Sequence, residues 1–278
     1  MGVSLMSSIP PRLGKVADTH QVSKSAARRR RLICIEWPPL FEGLSVSECA
    51  EIVSFAQDKL FWPKETIYGQ DNVERIISLL VRGRVKTVRL SPLGGQVILR
   101  IEEAGDLIGE LVLPSEALDR LRVQALERCQ VLAWEVQTFD ALCERFPRLL
   151  HNSMQILDER LRILEERFVE LATENADSRL ARTLIRLLDQ NRSAARQSVN
   201  ISFSNHELGQ MSGMSLFTVN RLLSSWQQSK IIQRQRKRVC VVDLASLMGL
   251  GGIKASGRLP ARATCTKSPS RVTFQLLA

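Results

Sequence analysis

Residues 204–226 read SNHELGQMSGMSLFTVNRLLSSW, which spells two capped helices joined by a tight turn. Ser204, followed three residues later by Glu207, makes a capping box: the hydroxyl accepts from the backbone N–H of Glu207, and the carboxylate reaches back to the N–H of Ser204. Leu208 and Met211 mark the inward face of the first helix. Gly213 supplies the left-handed residue such a turn demands. Ser215 caps a second helix, where Val219, Leu222, Leu223 and Trp226 recur at three-to-four spacing and face inward. Leu216, Phe217, Asn220, Arg221 and Ser224 are left outside. Beyond lie Ile231 and Ile232, a basic cluster with Arg236, Lys237 and Arg238, and the apolar run 239–242. Together these spell a two-stranded hairpin with a basic tip.

Two capped helices, a short turn and a basic hairpin describe a winged helix-turn-helix, whose second helix fits the major groove of double-stranded DNA, about 12 Å wide. The expected roles follow from side-chain chemistry. Ser215 and Thr218 stand where free backbone N–H groups and the helix dipole favour a phosphate. Ser204 and His206 are expected to neighbour phosphate at the start of the first helix. Leu216, Phe217 and Asn220 are expected at base edges; Phe217 offers no hydrogen bond and suits either a thymine methyl or packing. Arg221, one turn further, reaches guanine or a phosphate, and a bidentate base contact discriminates by about 1–3 kcal/mol. Arg236, Lys237 and Arg238 bind backbone charge without reading sequence. A plain helical hairpin with a solvated basic loop explains the three wing cations, but not caps, turn and hairpin in this order.

Outward from this stretch, charge and periodicity divide the chain. Its 278 residues carry 39 Lys+Arg against 29 Asp+Glu, a formal net charge of +10. Residues 32–139 hold eleven basic and sixteen acidic residues, whereas residues 193–240 hold seven and one. An acidic front and a basic back point to a polyanionic partner for the back end. Residues 40–60 carry Leu40, Phe41, Leu44, Ile52, Val53, Phe55, Ala56 and Leu60 at helical spacing, predicting a helix. Short apolar runs follow at 76–81, 85–90, 97–101, 107–113 and 131–136, separated by Gly83, SPLGG at 91–95, Gly105-Asp106 and Pro114. They predict an antiparallel sheet, roll or barrel.

The clearest helix covers 139–172. Leu150, Met154, Leu157, Leu161, Leu164, Phe168 and Leu171 alternate spacings of four and three, the repeat of a coiled-coil seam, with charged residues between them. Packing on the chain's own sheet would cover this stripe. Pairing with the same helix of a second subunit fits it better, because a narrow stripe without a flanking apolar position is a seam. A homodimer is expected, presenting two recognition helices about 34 Å apart to a near-palindromic operator. The fold class is α+β: a disordered basic arm over 1–31, an antiparallel β-roll sensor domain of jelly-roll type over 32–138, a dimerisation helix over 139–174, a winged helix-turn-helix over 175–248 and a disordered basic tail over 249–278.

On these motifs the chain resembles the cyclic-AMP receptor/fumarate–nitrate regulator (CRP/FNR) superfamily of bacterial transcription regulators. The resemblance covers about residues 40–243 and rests on GRVK at 83–86, SPLGG at 91–95, GDLIGE at 105–110, the heptad helix and ELGQMSGMSLFTVNR at 207–221. It implies a β-roll resembling the cyclic-nucleotide-binding domain, a dimerising helix, a winged helix that touches DNA through Ser215, Thr218 and Arg221, and RNA polymerase as a partner. In nucleotide-binding members a Gly-Glu pair holds the ribose, and an Arg followed by Ser or Thr holds the cyclic phosphate. Gly109 and Glu110 match the first pair, and Arg120 stands for the arginine. The segment reads LDRLR at 118–122, however, so Leu121 replaces the hydroxyl and Asp119 adds a repelling charge. The departure argues against a cyclic nucleotide, and no cofactor is expected; another effector is left unnamed.

The remaining signals exclude other classes. The six cysteines have no Cys-x-x-Cys pair, and His20, His151 and His206 are scattered, so no metal site is expected. No run approaches the roughly 20 apolar residues of a membrane span, and the basic N-terminus lacks a secretory core segment. A cytoplasmic protein is expected, with its cysteines as small core hydrophobes. No nucleophile–base constellation is visible, so no enzyme is expected. Two rival readings are a cyclic-nucleotide-sensing regulatory or scaffold subunit acting through protein partners, and a nonspecific nucleic-acid binder using the basic tails.

Overall fold

A computed structural model describes residues 31–33, 38–69, 76–92, 94–109, 121–193, 200–235, 238–253 and 275–277. Strand β1 (Arg31–Ile33) pairs antiparallel with the last strand, β13 (Gln275–Leu277), Arg31 opposite Leu277. Arg31 ends the segment read from sequence as a disordered arm, Leu32 and Ile33 open the one read as the sensor domain, and β13 lies in the segment read as a disordered tail.

The stretch 40–60, read as one helix, is three pieces. A 3-10 turn covers Pro39–Phe41, and α1 covers Val46–Ser54 behind a capping box of Ser45 and Glu48. Residues Gln57–Phe61 form β2, which pairs residue for residue with β9 (Cys129–Glu135). Cross-strand pairing overrides the local helical spacing there, as burial on a sheet often does.

Two four-stranded antiparallel sheets make the roll. One runs β2-β9-β4-β7, with β4 at Ile76–Arg82 and β7 at Leu107–Ile108. The other runs β3-β8-β5-β6, with β3 at Thr66–Tyr68, β8 at Leu121–Ala125, β5 at Arg84–Leu90 and β6 at Gln96–Glu103. The near-continuous apolar run of β4 has a physical reason: both its faces are covered. Ile77, Leu79 and Val81 join Leu40, Phe41 and Trp134 in a core shared with the helices, while Leu80 joins Ile67, Val85, Val123 and Val131 between the sheets. Trp134 is fully buried and donates its indole N–H to the Ile52 carbonyl at 2.9 Å.

The long helix expected over 139–172 is divided. Helix α2 (Val136–Arg145) ends at Phe146, and α3 (Pro147–Thr173) begins one residue later. Pro147 has no N–H to continue a helix, and it bars Phe146 from helical geometry (φ −120°, ψ 82°). The first turns of α3 bury Leu149, Asn152 and Ser153, with the Asn152 amide donating to the carbonyls of Leu40 and Glu42. That buried face is not the heptad stripe. Met154 is 61% exposed and Phe168 72%, and Leu150, Leu161, Leu164 and Leu171 are exposed too, with Leu157 half-buried. The chain's own sheet therefore does not cover the seam.

After α4 (Ala176–Ser193) come β10 (Asn200–Ile201), α5 (Asn205–Ser212), α6 (Leu216–Gln228), β11 (Ile232–Gln235), β12 (Arg238–Val241) and α7 (Leu244–Leu250). The expected hairpin is present, but β10 adds a third strand in the order β10-β12-β11. Leu184, Leu208, Leu223, Trp226 and Val239 form this region's core, and Val88, Ile98 and Ile101 from the outer face of the roll belong to the same cluster. Cys49, Cys129 and Cys143 are buried thiols, in keeping with small core hydrophobes; burial pushes the Cys143 thiol up to about 11. Among the described residues no helix is long and apolar enough to cross a membrane.

Candidate nucleic-acid interface

The geometry of α5 and α6 follows from their caps. At the start of α5 the Ser204 N–H donates to the Glu207 carboxylate at 3.0 Å, and the Glu207 N–H donates to the Ser204 hydroxyl at 3.2 Å. Gly213 ends the helix in the left-handed region (φ 66°, ψ 43°), where a side chain would also lie 2.6 Å from Leu171 Cδ2. Gly209 is needed for a second reason: a Cβ there would lie 2.7 Å from the Met214 carbonyl oxygen, so the turn closes only over glycine. The Ser215 hydroxyl then accepts from the Thr218 N–H at 3.1 Å and lies 3.0 Å from the Thr218 hydroxyl.

These caps aim α6. Val219, Leu222, Leu223 and Trp226 are buried, as their spacing predicts. Leu216 and Phe217 stand out at the other side, Phe217 78% exposed, with Ser215 and Arg221 also exposed and Thr218 half-buried. Arg221 has no hydrogen bond or ion pair among the described residues, so its guanidinium is free to take a ligand. Asn220 differs from the expectation of a simple outward residue. It is half-buried, and its carbonyl oxygen accepts from the Asn205 amide at 2.6 Å and from Arg234 at 3.3 Å.

Arg234, on β11, also donates to the Ser224 hydroxyl at 3.0 Å, and so ties the wing to the recognition helix. Nothing in local spacing marks this arginine off from its neighbours; only the folded hairpin brings it across. Arg238 is exposed at the start of β12, opposite Gln235. Arg236 and Lys237 lie outside the described residues.

His206 is exposed on the first turn of α5, its Nε2 3.1 Å from the Gln210 side-chain nitrogen. Gln210 in turn donates to Gln96 of β6 at 3.1 Å, and Lys86 of β5 meets Glu207 at 3.0 Å. The unit is thus docked on the chain's own roll by polar contacts as well as by Val88, Ile98 and Ile101. Burial works to raise the Glu207 pKa, but the Ser204 N–H, the Lys86 ammonium and the Ser204 hydroxyl outweigh it, and the carboxyl sits below its ordinary value.

The second expected site, in the roll, is described only in part. Gly109 follows β7 in the left-handed region (φ 87°), and its carbonyl accepts from Arg160 of α3 at 3.2 Å. Glu110 and Arg120 lie outside the described residues. Thr87 shares the face of β5 with Val85, by the two-residue alternation of a strand, and donates to the Glu102 carboxylate at 2.8 Å; Arg100 donates to it at 3.0 Å. Among the described residues no cluster of His, Cys, Asp and Glu could hold a metal.

Comparison with known proteins agrees with this geometry. Residues 178–250 match the family model of the Crp-like helix-turn-helix domain, and residues 59–146 match that of the cyclic nucleotide-binding domain. The cyclic AMP receptor protein of Thermus thermophilus is 30% identical over 198 residues, which are 70% of this chain and 88% of that one. The fumarate and nitrate reduction regulatory protein of Vibrio cholerae is 25% identical over 178 residues, 63% of this chain and 71% of the relative. The crystal structure of a CRP-family transcriptional regulator, also from Thermus thermophilus, is similar at 28% identity and a TM-score of 0.60, covering 70% of this chain and 96% of its own.

Proposed function

The chain belongs to the CRP/FNR family of DNA-binding transcription regulators, and from that premise we propose that it acts as a homodimer reading a near-palindromic operator through α6. The observation that carries the dimer is the exposed stripe on α3. Leu150, Met154, Leu161, Leu164, Phe168 and Leu171 stay in water although α3 buries Leu149 and Asn152 on another face. A seven-residue apolar repeat of this kind is covered by a second copy of itself. Symmetric pairing would then present two copies of Phe217 and Arg221 to half-sites about one helical turn apart. Transcriptional output would pass through RNA polymerase bound near that operator.

The roll interior favours a reading without a bound cyclic nucleotide. Ile67, Leu80, Val85, Ile108, Val123, Cys129 and Val131 pack it tightly, and the Glu102 carboxylate is 4% exposed. Arg100 already pairs with that carboxylate at 3.0 Å, so its charge is not available to a cyclic phosphate. Calorimetric titration with cyclic AMP and cyclic GMP is expected to give no heat of binding; micromolar binding would restore the nucleotide to the mechanism.

The main test pairs selection of preferred duplexes from a random pool with sedimentation. The protein is expected to enrich an inverted repeat and to sediment as a dimer, while Leu161→Asp yields monomers that bind at least about tenfold more weakly, having lost the second half-site. A Leu161→Asp dimer, or enrichment of no repeat, would overturn the proposal.

A further inference from the structure

A cavity of about 790 Å3 opens where β6 meets the C-terminal part of α3, α4 and the end of α5. Its walls are chiefly apolar, from Ile98 and Leu99 on the roll and Met211 on α5, with Leu164 and Phe168 of the α3 stripe on the side that a second copy would cover. This is within the roughly 300–1,000 Å3 typical of small-molecule sites. It lies apart from the Gly109 end of the roll and from the outer face of α6.

Two guanidiniums line it without a counter-charge. Arg167 donates to the Leu99 carbonyl, and Arg179 donates to the carbonyls of Ser212 at 3.3 Å and Glu174 at 3.0 Å. Neither makes an ion pair among the described residues. Glu170, which also lines the cavity, is held by Arg186 at 2.7 Å and has Arg182 at 3.9 Å, so its charge is already matched. Glu165 lines it too, and is exposed to water. Burial lowers the Arg167 pKa to about 10; Arg186 and Arg100 repel it further, and Glu170 opposes them. A partly buried cation without an ion-pair partner is costly, and a bound anion relieves that cost. The apolar walls disfavour a bare, hydrated ion and favour one with an apolar body.

We propose that this cavity is an effector site for a small amphipathic carboxylate, its charged end on Arg167 and Arg179 and its aromatic or aliphatic body against Ile98, Leu99 and Met211. The walls belong to both the roll and the reading unit, so an occupant bridges them and stabilises the docked arrangement.

Full-length protein, without DNA, is titrated calorimetrically with phenylacetate and with octanoate, using 2-phenylethanol and 1-octanol as neutral counterparts. At least one carboxylate is expected to bind once per chain and to raise the melting temperature, with its alcohol at least about tenfold weaker. Loss of a charge-assisted hydrogen bond in Arg167→Met should weaken binding by about ten- to a hundredfold. Arg179→Met makes the same test should the first variant not fold. Val97→Trp, which fills the cavity from a half-exposed position, should abolish binding. Two outcomes overturn the site: neither carboxylate binding at millimolar concentration, or the folded variants binding like the parent. An alcohol binding as tightly as its acid would overturn the role of the two arginines. Failure to bind any operator would leave this readout untouched, so the two proposals fall separately.

Discussion

The recognition helix and strand β4 distribute their side chains in opposite ways. Helix α6 divides inside from outside: Val219, Leu222, Leu223 and Trp226 are buried, while Leu216, Phe217 and Arg221 face water. Strand β4 has no outside until Arg82, because helices cover one face and the second sheet the other. Where the faces are divided, binding residues can change without disturbing the fold. Where both faces are covered, nearly every residue is committed to stability.

The largest test of that contrast lies in the fully covered layer. Trp134→Ala, beside β4, should lower the unfolding free energy by about 3–5 kcal/mol in urea titrations, through lost packing and an orphaned Ile52 carbonyl. Its operator preference at saturating protein should be unchanged; an altered preference would break the division. On the outer face of α6 the pattern should reverse. Arg221→Ala is expected to remove about 1–3 kcal/mol of discrimination between duplexes, with a stability change within about 0.5 kcal/mol. A large drop in unfolding free energy would mean that Arg221 supports the fold. Glu207 belongs to both categories and should give the smallest effect. Its folded pKa is depressed, so its contribution to stability is full above the unfolded value near about 4.3 and is lost as pH falls through the lower folded value. Between those values the unfolded chain binds more protons than the folded one, so stability rises with pH. Glu207→Gln should flatten that slope in denaturation midpoints measured from pH 5 to pH 3.

The same division decides how much could be read from sequence. The caps at Ser204 and Ser215 act within three residues, so α5, its turn and α6 were legible from spacing alone. The strands β4, β5, β6 and β9 were legible because apolar runs and turn residues alternate. Strand β2 was not, since Leu60 continues the helical spacing and only its pairing with β9 makes it a strand. The division of the long helix was hidden because Pro147 falls just ahead of an otherwise regular heptad repeat. Arg234 and Asn220 lie 14 residues apart and Lys86 and Glu207 lie 121 apart; no local pattern reports such meetings. That Arg167 and Arg179 would bond to backbone carbonyls and not to carboxylates was invisible for the same reason, as they read as ordinary charges on amphipathic helices.

The apolar cluster that takes Val88, Ile98 and Ile101 from the roll and Leu208 and Leu184 from the reading unit has a mechanical consequence. A module on a tether would reorient at little expense. Here, turning the DNA-facing module away from the roll uncovers three aliphatic side chains, at a cost on the order of 5 kcal/mol. That is enough to bias a two-position equilibrium several thousandfold. The joint behaves as a latch, and whatever springs it must bring free energy of that size.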